Sequence, residues 1–592
     1  MKLFTKYRIV FPLFLILVIA LLARFVLLDK IPTGMSDDEV LYILSSRSFS
    51  FTGKDITEQW SPLSLVKPPA SVIIAFGKVP YILFSPFFGH IDFSMFSARF
   101  PYALSGTLFT LVLFFIGSKL FSVKVGLITS VLYAVNPWSV FFSRTAYESP
   151  IAMYFAFMMF ALLLYVKSWK ILLALPMYIL SFYSYLGTNI ILPLFTGMVV
   201  FYSWLINGKK FVSYYVLFVI AAFLILVVYV IHLPNDSGGN RTNELLSPNL
   251  VKMANEVNWN RRESIQTPVM GFFINKYENT IKIFVNQYLD AFSPTYLFSK
   301  GEGAARFTLW SHGTFYLVDI IFLLIGIISM FKNNRRQAIL LFSVLLICPI
   351  PSALHNGDTQ YALRCSFMYP IVLIFIGYGI FSVITKYKHT YIPTVLIGTL
   401  YAIFILNFGY QYIFRNTIYN YDSFGISGRI FARYVEFANE HGYKTQVLFN
   451  GPNIGLFRQY LFFNNKYTKD NHSIVASLIQ KQTINIDNVT FTDCKNISMN
   501  DSIITIIPFN LKCTTQKLST NILTITNYTD NQGIYVIYND LVCQKYSHAP
   551  YLNNIQLKDL DIEKLNEEAF CQKFFTRDAG YNSLNSTGSE VP

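Results

Sequence analysis

Charged residues are scarce in this sequence: Asp, Glu, Lys and Arg make up only 14% of its 592 residues. Soluble domains usually carry about 25% charged residues, whereas 53% of this chain is hydrophobic and its mean hydropathy is +0.42. This composition excludes an ordinary soluble globule and is typical of a membrane protein with many spans. The net charge of +14 resides largely in short loops between apolar runs. We therefore expect a lipid bilayer, and no nucleic acid, among its partners.

Histidine and cysteine are also few, at eight and six residues. The histidines are scattered, with no pair at the spacing of metal ligands, so the sequence predicts no histidine metal site. Four cysteines near the C-terminus form an even set, which predicts one or two disulfides of open connectivity. These four are Cys494, Cys513, Cys543 and Cys571, while Cys348 and Cys365 are expected to be buried thiols.

A cleavable signal peptide is missing as well. The N-terminus is basic, but the apolar run 10–28 is too long for a signal-peptide core and has no small-x-small cleavage site, so we expect a retained first span. About eleven such apolar windows predict eleven transmembrane helices. The windows are residues 10–28, 98–120, 125–142, 151–166, 171–185, 190–206, 212–232, 315–331, 338–351, 367–384 and 391–412.

The charges of the loops predict the orientation. Basic loops fall on one side of the alternating spans, and by the positive-inside rule that side is the cytoplasm. The N-terminus is then cytoplasmic in the plasma membrane, and the loops 29–97 and 233–313 lie outside. The run 70–88 carries Pro80, Pro86 and Gly77 and lacks a basic flank, so it predicts a re-entrant or interfacial helix.

Composition changes after residue 412, where Asn, Thr, Asp and Lys become common. A helix at 429–441 and strands at 445–449, 502–507, 521–526 and 533–537 predict a small extracytoplasmic α/β domain over residues 413–581. Residues 1–412 form the membrane domain, and residues 582–592 are expected to be a disordered tail.

Three consecutive carboxylates, Asp37, Asp38 and Glu39, follow the first span. Carboxylates are costly beside hydrocarbon and repel one another, so they indicate a functional site. The alternative interpretation is a solvated loop that caps a helix.

Fixed cations are predicted on the same face. Lys67 precedes two prolines, which hold the backbone extended. Arg144 and Glu148 lie in the motif NPWSVFFSRTAYES, and Arg364 ends the stretch PSALHNGDTQYALR. An arginine at the end of a span is more often a snorkelling anchor than a ligand. Acids and cations together on one face, however, suit an enzyme that handles a lipid-linked phosphate.

These motifs, together with ARFPYAL at residues 98–104, resemble in order and spacing the polyprenyl-phosphate-sugar glycosyltransferases of the GT-C fold. The most similar branches include protein O-mannosyltransferases and lipid A aminoarabinose transferases, and the resemblance covers residues 5–410. It implies a polytopic α-helical GT-C membrane domain with outer re-entrant or juxtamembrane helices. It also implies a polyprenyl-phosphate sugar donor and a protein, lipid or glycan acceptor.

The resemblance implies roles for individual residues. The first acid of the family's Asp-Glu pair is the catalytic base, which corresponds best to Asp38 followed by Glu39, although Asp37 leaves the register open by one. The base takes a proton from an acceptor hydroxyl or amine, and the transfer inverts the sugar. Neighbouring carboxylates raise the proton affinity of the base. Lys67, Arg144 and Arg364 match the residues that hold the lipid phosphate; Arg99 is a further candidate for that role, and Glu148, Tyr183 and Tyr185 are candidates for contact with the sugar.

Three alternatives stay open at this stage. A divalent cation at the acidic loop is one, since related enzymes that transfer whole oligosaccharides use such an ion. A flippase or transporter of the lipid-linked sugar is the second, although the two halves show no similarity and no charges sit in the middle of broken spans. The third is a non-catalytic membrane anchor for the C-terminal domain.

Overall fold

The computed structural model is mostly helical, with a small sheet near the C-terminus. It describes residues 2–64, 77–208, 211–232, 250–303, 307, 309, 312–355, 361–387, 389–420, 422–449, 454–481, 483–494, 502–509, 511, 522–526, 532–546 and 555–575.

The helices of the first 420 residues follow the apolar runs of the sequence. In chain order they are α1 (Lys2–Phe25), α2 (Asp37–Thr52), α3 (Lys78–Phe88), α4 (Met95–Leu120), α5 (Val123–Val135), α6 (Pro137–Ser143), α7 (Glu148–Tyr165), α8 (Ala174–Phe182), α9 (Thr188–Asn207), α10 (Val212–His232), α11 (Leu250–Arg262), α12 (Met270–Phe273), α13 (Lys276–Asp290), α14 (Asp319–Asn333), α15 (Arg335–Ile347), α16 (Ile350–Ala353), α17 (Tyr361–Arg364), α18 (Met368–Lys386), α19 (Ile392–Tyr410) and α20 (Asn416–Tyr419).

Each of the eleven predicted windows coincides with a helix or a pair of helices. Among the described residues, seven helices are long and apolar enough to cross a membrane, or eight if α5 and α6 form one broken span. The 60° bend between α5 and α6 falls at Asn136 and Pro137. Proline has no N–H for the helix ladder, and the Asn136 side chain accepts a hydrogen bond from the Ser139 N–H at 3.0 Å to start α6.

The remaining predicted windows correspond to shorter helices. The described apolar part of α1 is Ile9–Phe25, and the fifth window is the run Ser168–Phe182, a 3₁₀ turn followed by α8. Helix α14 has 15 residues. The described residues thus include several apolar helices of membrane-spanning length and composition, and the count of eleven spans stays a prediction.

Glycines set the closest approach inside the bundle. A Cβ on Gly326 of α14 would overlap the backbone at Phe375 of α18, and one on Gly379 would overlap the backbone at Phe322. Small residues allow membrane helices to approach this closely. Helices α10 and α19 lie at the periphery of the bundle, and only 17% and 11% of their apolar windows are buried within the protein.

Within the predicted re-entrant run 70–88, residues 70–76 lie outside the described part of the chain, and residues 78–88 form the 11-residue helix α3. A bilayer core needs about 20 helical residues, so α3 is too short to cross it. Its Tyr81 packs on Leu41 and Tyr42 of α2 in a separate small cluster. Helices α2 and α3 therefore form a pair beside the spans.

The C-terminal α/β region, residues 426–575, contains one six-stranded sheet among the described residues. Its strands run in the order β2-β3-β1-β4-β6-β5, with β1 parallel to β3 and β4. All four strands and the helix predicted from the sequence are present. The elements are α21 (Ile426–Glu440), β1 (Lys444–Phe449), α22 (Gly455–Phe463), α23 (His472–Ile479), β2 (Ile484–Ile486), β3 (Val489–Asp493), β4 (Ile503–Pro508), β5 (Ile522–Thr526), β6 (Gly533–Tyr538) and α24 (Glu567–Phe574), with 3₁₀ turns at Leu557–Leu560 and Ile562–Lys564.

The cysteine predictions are confirmed where the structure describes them. Cys543 and Cys571 form a disulfide that ties the chain after β6 to α24. Cys348 and Cys365 are buried free thiols. Cys513 and the predicted disordered tail, residues 582–592, lie outside the described residues.

Candidate active site

The acidic residues begin helix α2, and a capping box fixes where that helix starts. The Ser36 hydroxyl accepts from the Glu39 N–H at 3.3 Å, and the Glu39 carboxylate accepts from the Ser36 N–H at 3.0 Å. This reciprocal pair satisfies two backbone donors that a helix N-terminus otherwise leaves without partners. Asp37, Asp38 and Glu39 therefore occupy the first turn, where the helix dipole favours negative charge.

Glu39 is the buried member of the three. Its side chain is fully buried, and it also accepts from the Ala146 N–H at 2.9 Å and faces Arg99 at 3.5 Å. Glu39 thus joins α2 to α4 and to the loop before α7. Glu39 therefore caps the N-terminus of α2, as the alternative interpretation of the acidic residues predicts.

Two predicted phosphate-binding arginines face the backbone of the chain between α1 and α2. Arg99 is fully buried and donates to the Pro32 carbonyl at 2.7 Å and to the Gly34 carbonyl. Arg144 is buried and caps the end of α1, whose last carbonyls have no partner within the helix. Its guanidinium donates to the carbonyls of Ala23, Arg24, Val26, Leu27 and Ile31.

Asp37 and Asp38 are exposed, and they meet the C-terminal α/β region. Gln459 of α22 donates to the Asp37 carboxylate and to the Met35 carbonyl, both at 3.1 Å. Arg458, the preceding residue, is buried and is attracted by the carboxylates of Asp37 and Asp38. Burial lowers the pKa of Arg458, and the two carboxylates offset part of that decrease.

On the other side, Asp38 faces a carboxyl group at the start of α7. The charges of Asp38 and Glu148 interact, and the Tyr42 hydroxyl donates a hydrogen bond to Glu148. The Gly77 N–H donates to the Tyr42 hydroxyl at 3.1 Å. A Cβ on Gly77 would come within 2.9 Å of the Glu148 side chain, so only glycine fits here. The segment that leads into Gly77 contains Lys67, which lies outside the described residues.

Arg364 extends this group of polar residues. Its guanidinium hydrogen-bonds the Tyr185 hydroxyl, and burial lowers its pKa, while Tyr185 and Glu302 act in the opposite direction. The Glu302 carboxylate accepts from the N–H groups of Tyr361 and Ala362, at 2.9 and 3.1 Å, and so fixes the start of α17. Arg364 itself stays partly exposed, as a ligand for an anion would be.

The structure thus brings together four residues predicted from the sequence, which form a connected series from Asp38 through Glu148 and Tyr185 to Arg364. Tyr183 lies in the same turn as Tyr185, and its ring packs against Phe182. An exposed carboxylate beside a second carboxyl group and a partly exposed cation can take a proton and hold an anion within one site.

Sequence reasoning missed several contributors to this site, and only one of them had a local signal. The pattern Ser36-x-x-Glu39 before an apolar run is typical of a capping box and would have indicated a structural role for Glu39. Arg458 and Gln459 lie more than 400 residues from the acids in sequence, and no local pattern connects them. Within the described residues, no group of three or more His, Cys, Asp or Glu side chains is arranged to hold a metal ion.

Two solved membrane glycosyltransferases of the GT-C fold are structurally similar to this chain. One is the archaeal oligosaccharyltransferase AglB from Archaeoglobus fulgidus, in complex with an inhibitory peptide and a dolichol-phosphate. It is 12% identical, the alignment covers 86% of this chain and 70% of that one, and the TM-score is 0.42. The other is ArnT from Cupriavidus metallidurans bound to undecaprenyl phosphate, at 12% identity, 89% and 98% coverage and a TM-score of 0.45. Neither a family model nor a curated protein matches the sequence.

Proposed function

We propose that this protein is a membrane glycosyltransferase that moves a sugar from a polyprenyl-phosphate-linked donor to an acceptor hydroxyl or amine. One observation carries the proposal: exposed Asp38 shares one face of the membrane helices with Glu148, Tyr185 and partly exposed Arg364. Carboxylates and a fixed cation at the ends of membrane helices suit a substrate whose phosphate lies at the bilayer surface.

Asp38 is the best candidate for the base among the three acids. The Glu39 carboxylate is buried and engaged in the capping box, and the Asp37 carboxylate accepts a hydrogen bond from Gln459. Asp38 is exposed and lies on the side of the turn that faces Glu148.

In the proposed reaction, the acceptor oxygen or nitrogen forms a bond to the anomeric carbon while Asp38 takes its proton. The bond between that carbon and the phosphate oxygen breaks, and polyprenyl phosphate leaves with the electron pair, so that the configuration of the sugar inverts. Arg364, joined by Lys67, stabilises the charge that develops on the phosphate. Glu148 and Tyr185 contact the sugar, and Tyr183 lines the same turn.

Arg99 and Arg144 contribute to this scheme indirectly. Each binds the backbone between α1 and α2, so we propose that they hold the acid-bearing turn against the bundle. The disulfide between Cys543 and Cys571 supports an oxidising compartment for this face. Together with the positive-inside prediction, this supports a plasma-membrane enzyme with an extracytoplasmic active site.

The experiment is an assay on membranes that contain the wild type or Asp38→Asn, each incubated with radiolabelled polyprenyl-phosphate hexoses. Release of the sugar, its transfer and its movement across the bilayer are followed separately. The proposal expects label to leave the lipid with the wild type and to stay with Asp38→Asn. Label that crosses the bilayer on intact lipid would instead identify a flippase.

A further inference from the structure

We propose that Arg458 and Gln459, on helix α22 of the C-terminal α/β region, are positioning residues for Asp37 and for the proposed base, Asp38. The inference rests on the function proposed above and deepens it, because it makes the C-terminal region part of the active site. Helix α22 packs against α2, and its two polar residues are the described groups of that helix that meet the acids.

Gln459 fixes the geometry of the first turn of α2. Its amide nitrogen donates to both the Met35 carbonyl and the Asp37 carboxylate at 3.1 Å, and the side chain is only 3% exposed. Gly428 of α21 packs on it, with a Cβ at that position falling 3.1 Å from the Gln459 side chain. A side chain confined in this way holds the Asp37 carboxylate in one orientation beside Asp38.

Arg458 supplies charge rather than direct hydrogen bonds. It is 7% exposed, and its Nε and Nη1 atoms have no hydrogen-bond partner among the described residues. An uncompensated buried charge is costly, and the carboxylates of Asp37 and Asp38 are the charges that attract this guanidinium. The guanidinium therefore offsets the repulsion between two adjacent acids.

The other charged and titratable groups facing these acids come from three elements. Glu148 of α7 and Tyr42 of α2 face Asp38, and Tyr535 of β6 faces Asp37. None of these three groups carries a positive charge, whereas Arg458 does. Its removal leaves the acids beside a third carboxyl group.

The C-terminal region is fixed firmly enough for this role. Arg429 of α21 donates to the Thr33 carbonyl at 2.9 Å, and Lys30 pairs with Asp561 at 2.9 Å. Gly34 lies directly against the backbone of residues 424–426, where a Cβ would fall 2.5 Å from the Ile426 nitrogen. The acid-bearing turn is therefore held between the membrane helices and the C-terminal region.

The first test measures charge coupling without any substrate. Arg458→Gln is introduced into the wild type and into the Asp37→Asn/Asp38→Asn protein, and the melting temperature of each full-length protein is measured in detergent. We expect Arg458→Gln to lower the melting temperature of the wild type and to have a smaller or opposite effect when the acids are neutral. Equal losses in both backgrounds would overturn the proposal.

The second test measures catalysis by the full-length protein. Arg458→Gln should lower kcat for sugar transfer on the order of tenfold, the size of one pKa unit of charge interaction, with the donor KM unchanged, and Arg458→Lys should recover most of the loss. Arg433→Gln is the matched control, since Arg433 pairs with Glu436 and the Leu565 carbonyl. A loss no greater than that of the control, or no rescue by lysine, would overturn the proposal. A wild type that consumes no donor would refute the proposed function, while the melting experiment would still decide whether Arg458 couples to the acids.

Discussion

Three consecutive carboxylates differ sharply in their surroundings, although they are neighbours in sequence. Asp37 and Asp38 are exposed, whereas Glu39 is fully buried with four donors around it. The sequence predicts an acidic site here. Which of the three acids is available to act as a base depends on which side of the first helical turn faces the protein interior.

This difference gives the first prediction. Asp38→Asn should lower the transfer rate by about 10²-fold or more, the usual effect of losing a general base, with little change in melting temperature. Glu39→Gln should instead destabilise the protein by about 3 kcal/mol, because it leaves the buried Arg99 guanidinium without its carboxylate. Thermal unfolding and transfer assays on both purified variants separate the two roles. Similar losses of stability in both would contradict the assignment.

Arg144 and Arg364 were predicted to share one role, and their surroundings differ. Arg144 binds five backbone carbonyls, whereas Arg364 is partly exposed and hydrogen-bonds Tyr185. The sequence places both at the ends of helices but carries no sign of which backbone groups lie within reach of each side chain.

We expect Arg144→Gln to lower the melting temperature and Arg364→Gln to weaken catalysis. In the proposed reaction Arg364 stabilises the leaving phosphate, so its loss should cost roughly 10²-fold in rate, with near-normal stability. Parallel measurements of melting temperature and donor turnover test this. A stable Arg144→Gln protein with a raised donor KM would show that Arg144 binds the lipid phosphate after all.

At the scale of elements, the most constrained contact is that between the turn before α2 and the start of α21. Gly34 meets the backbone of residues 424–426 so closely that a Cβ cannot fit without movement of the main chain. Gly34→Ala should therefore displace α21, and α22 with it, from the acids. We expect faster proteolysis between the C-terminal region and the membrane helices, together with reduced transfer.

Gly398→Ala is the matched control, since Gly398 of α19 has no neighbouring atom within 4 Å of an added Cβ. If the two variants behave alike in limited proteolysis and in transfer, the turn is not the point at which the C-terminal region is held.

Strands and helices with a clear periodicity of apolar residues could be predicted from the sequence, whereas very short elements could not. The helix at 429–441 is observed as Ile426–Glu440, and the strand at 445–449 as Lys444–Phe449. The hairpin of β2 and β3 escaped prediction because β2 has three residues, too few for a pattern of alternation. Its turn residue Asp487 has φ of 52°, a conformation that Asp tolerates better than most residues.

For the whole molecule, Arg429 both links the C-terminal α/β region to the rest of the chain and braces α21 through an ion pair. Arg429 contacts both the Thr33 carbonyl and the Glu563 carboxylate. Burial alone would raise the pKa of Glu563, but the attraction and hydrogen bonds of Arg429 outweigh it, so the pKa is lowered. A lowered carboxyl pKa contributes stability above the unfolded-state pKa, and that stability is lost as the pH falls through the folded-state pKa.

The melting temperatures of the wild type and Glu563→Gln should accordingly differ at neutral pH, and the difference should begin to shrink as the pH falls below about 4.3, the ordinary glutamate pKa, because the unfolded chain takes up the proton first. Melting curves from pH 7 to pH 3.5 measure this. A difference that stays constant to the lowest pH would contradict the role of the ion pair.

The sequence predicts the architecture of the whole molecule better than it predicts the site. Apolar runs predict where helices form because burial in a bilayer demands long apolar segments. The site depends on contacts between residues far apart in the chain, such as Asp37 with Gln459, which no local pattern encodes. The sequence indicates which polar residues at the ends of spans are candidates for the site. Only the packed structure distinguishes those that bind the backbone, such as Arg144, from those that are partly exposed, such as Arg364.

The central claim is that the face around Asp38 removes a sugar from a polyprenyl phosphate. Purified wild type and Asp38→Asn protein in lipid nanodiscs can be incubated with donor and acceptor, and free polyprenyl phosphate quantified by mass spectrometry. We predict that the wild type releases one polyprenyl phosphate for each sugar transferred and that Asp38→Asn releases almost none. Equal release by the two proteins, or a donor lipid that stays intact with the wild type, would contradict the account.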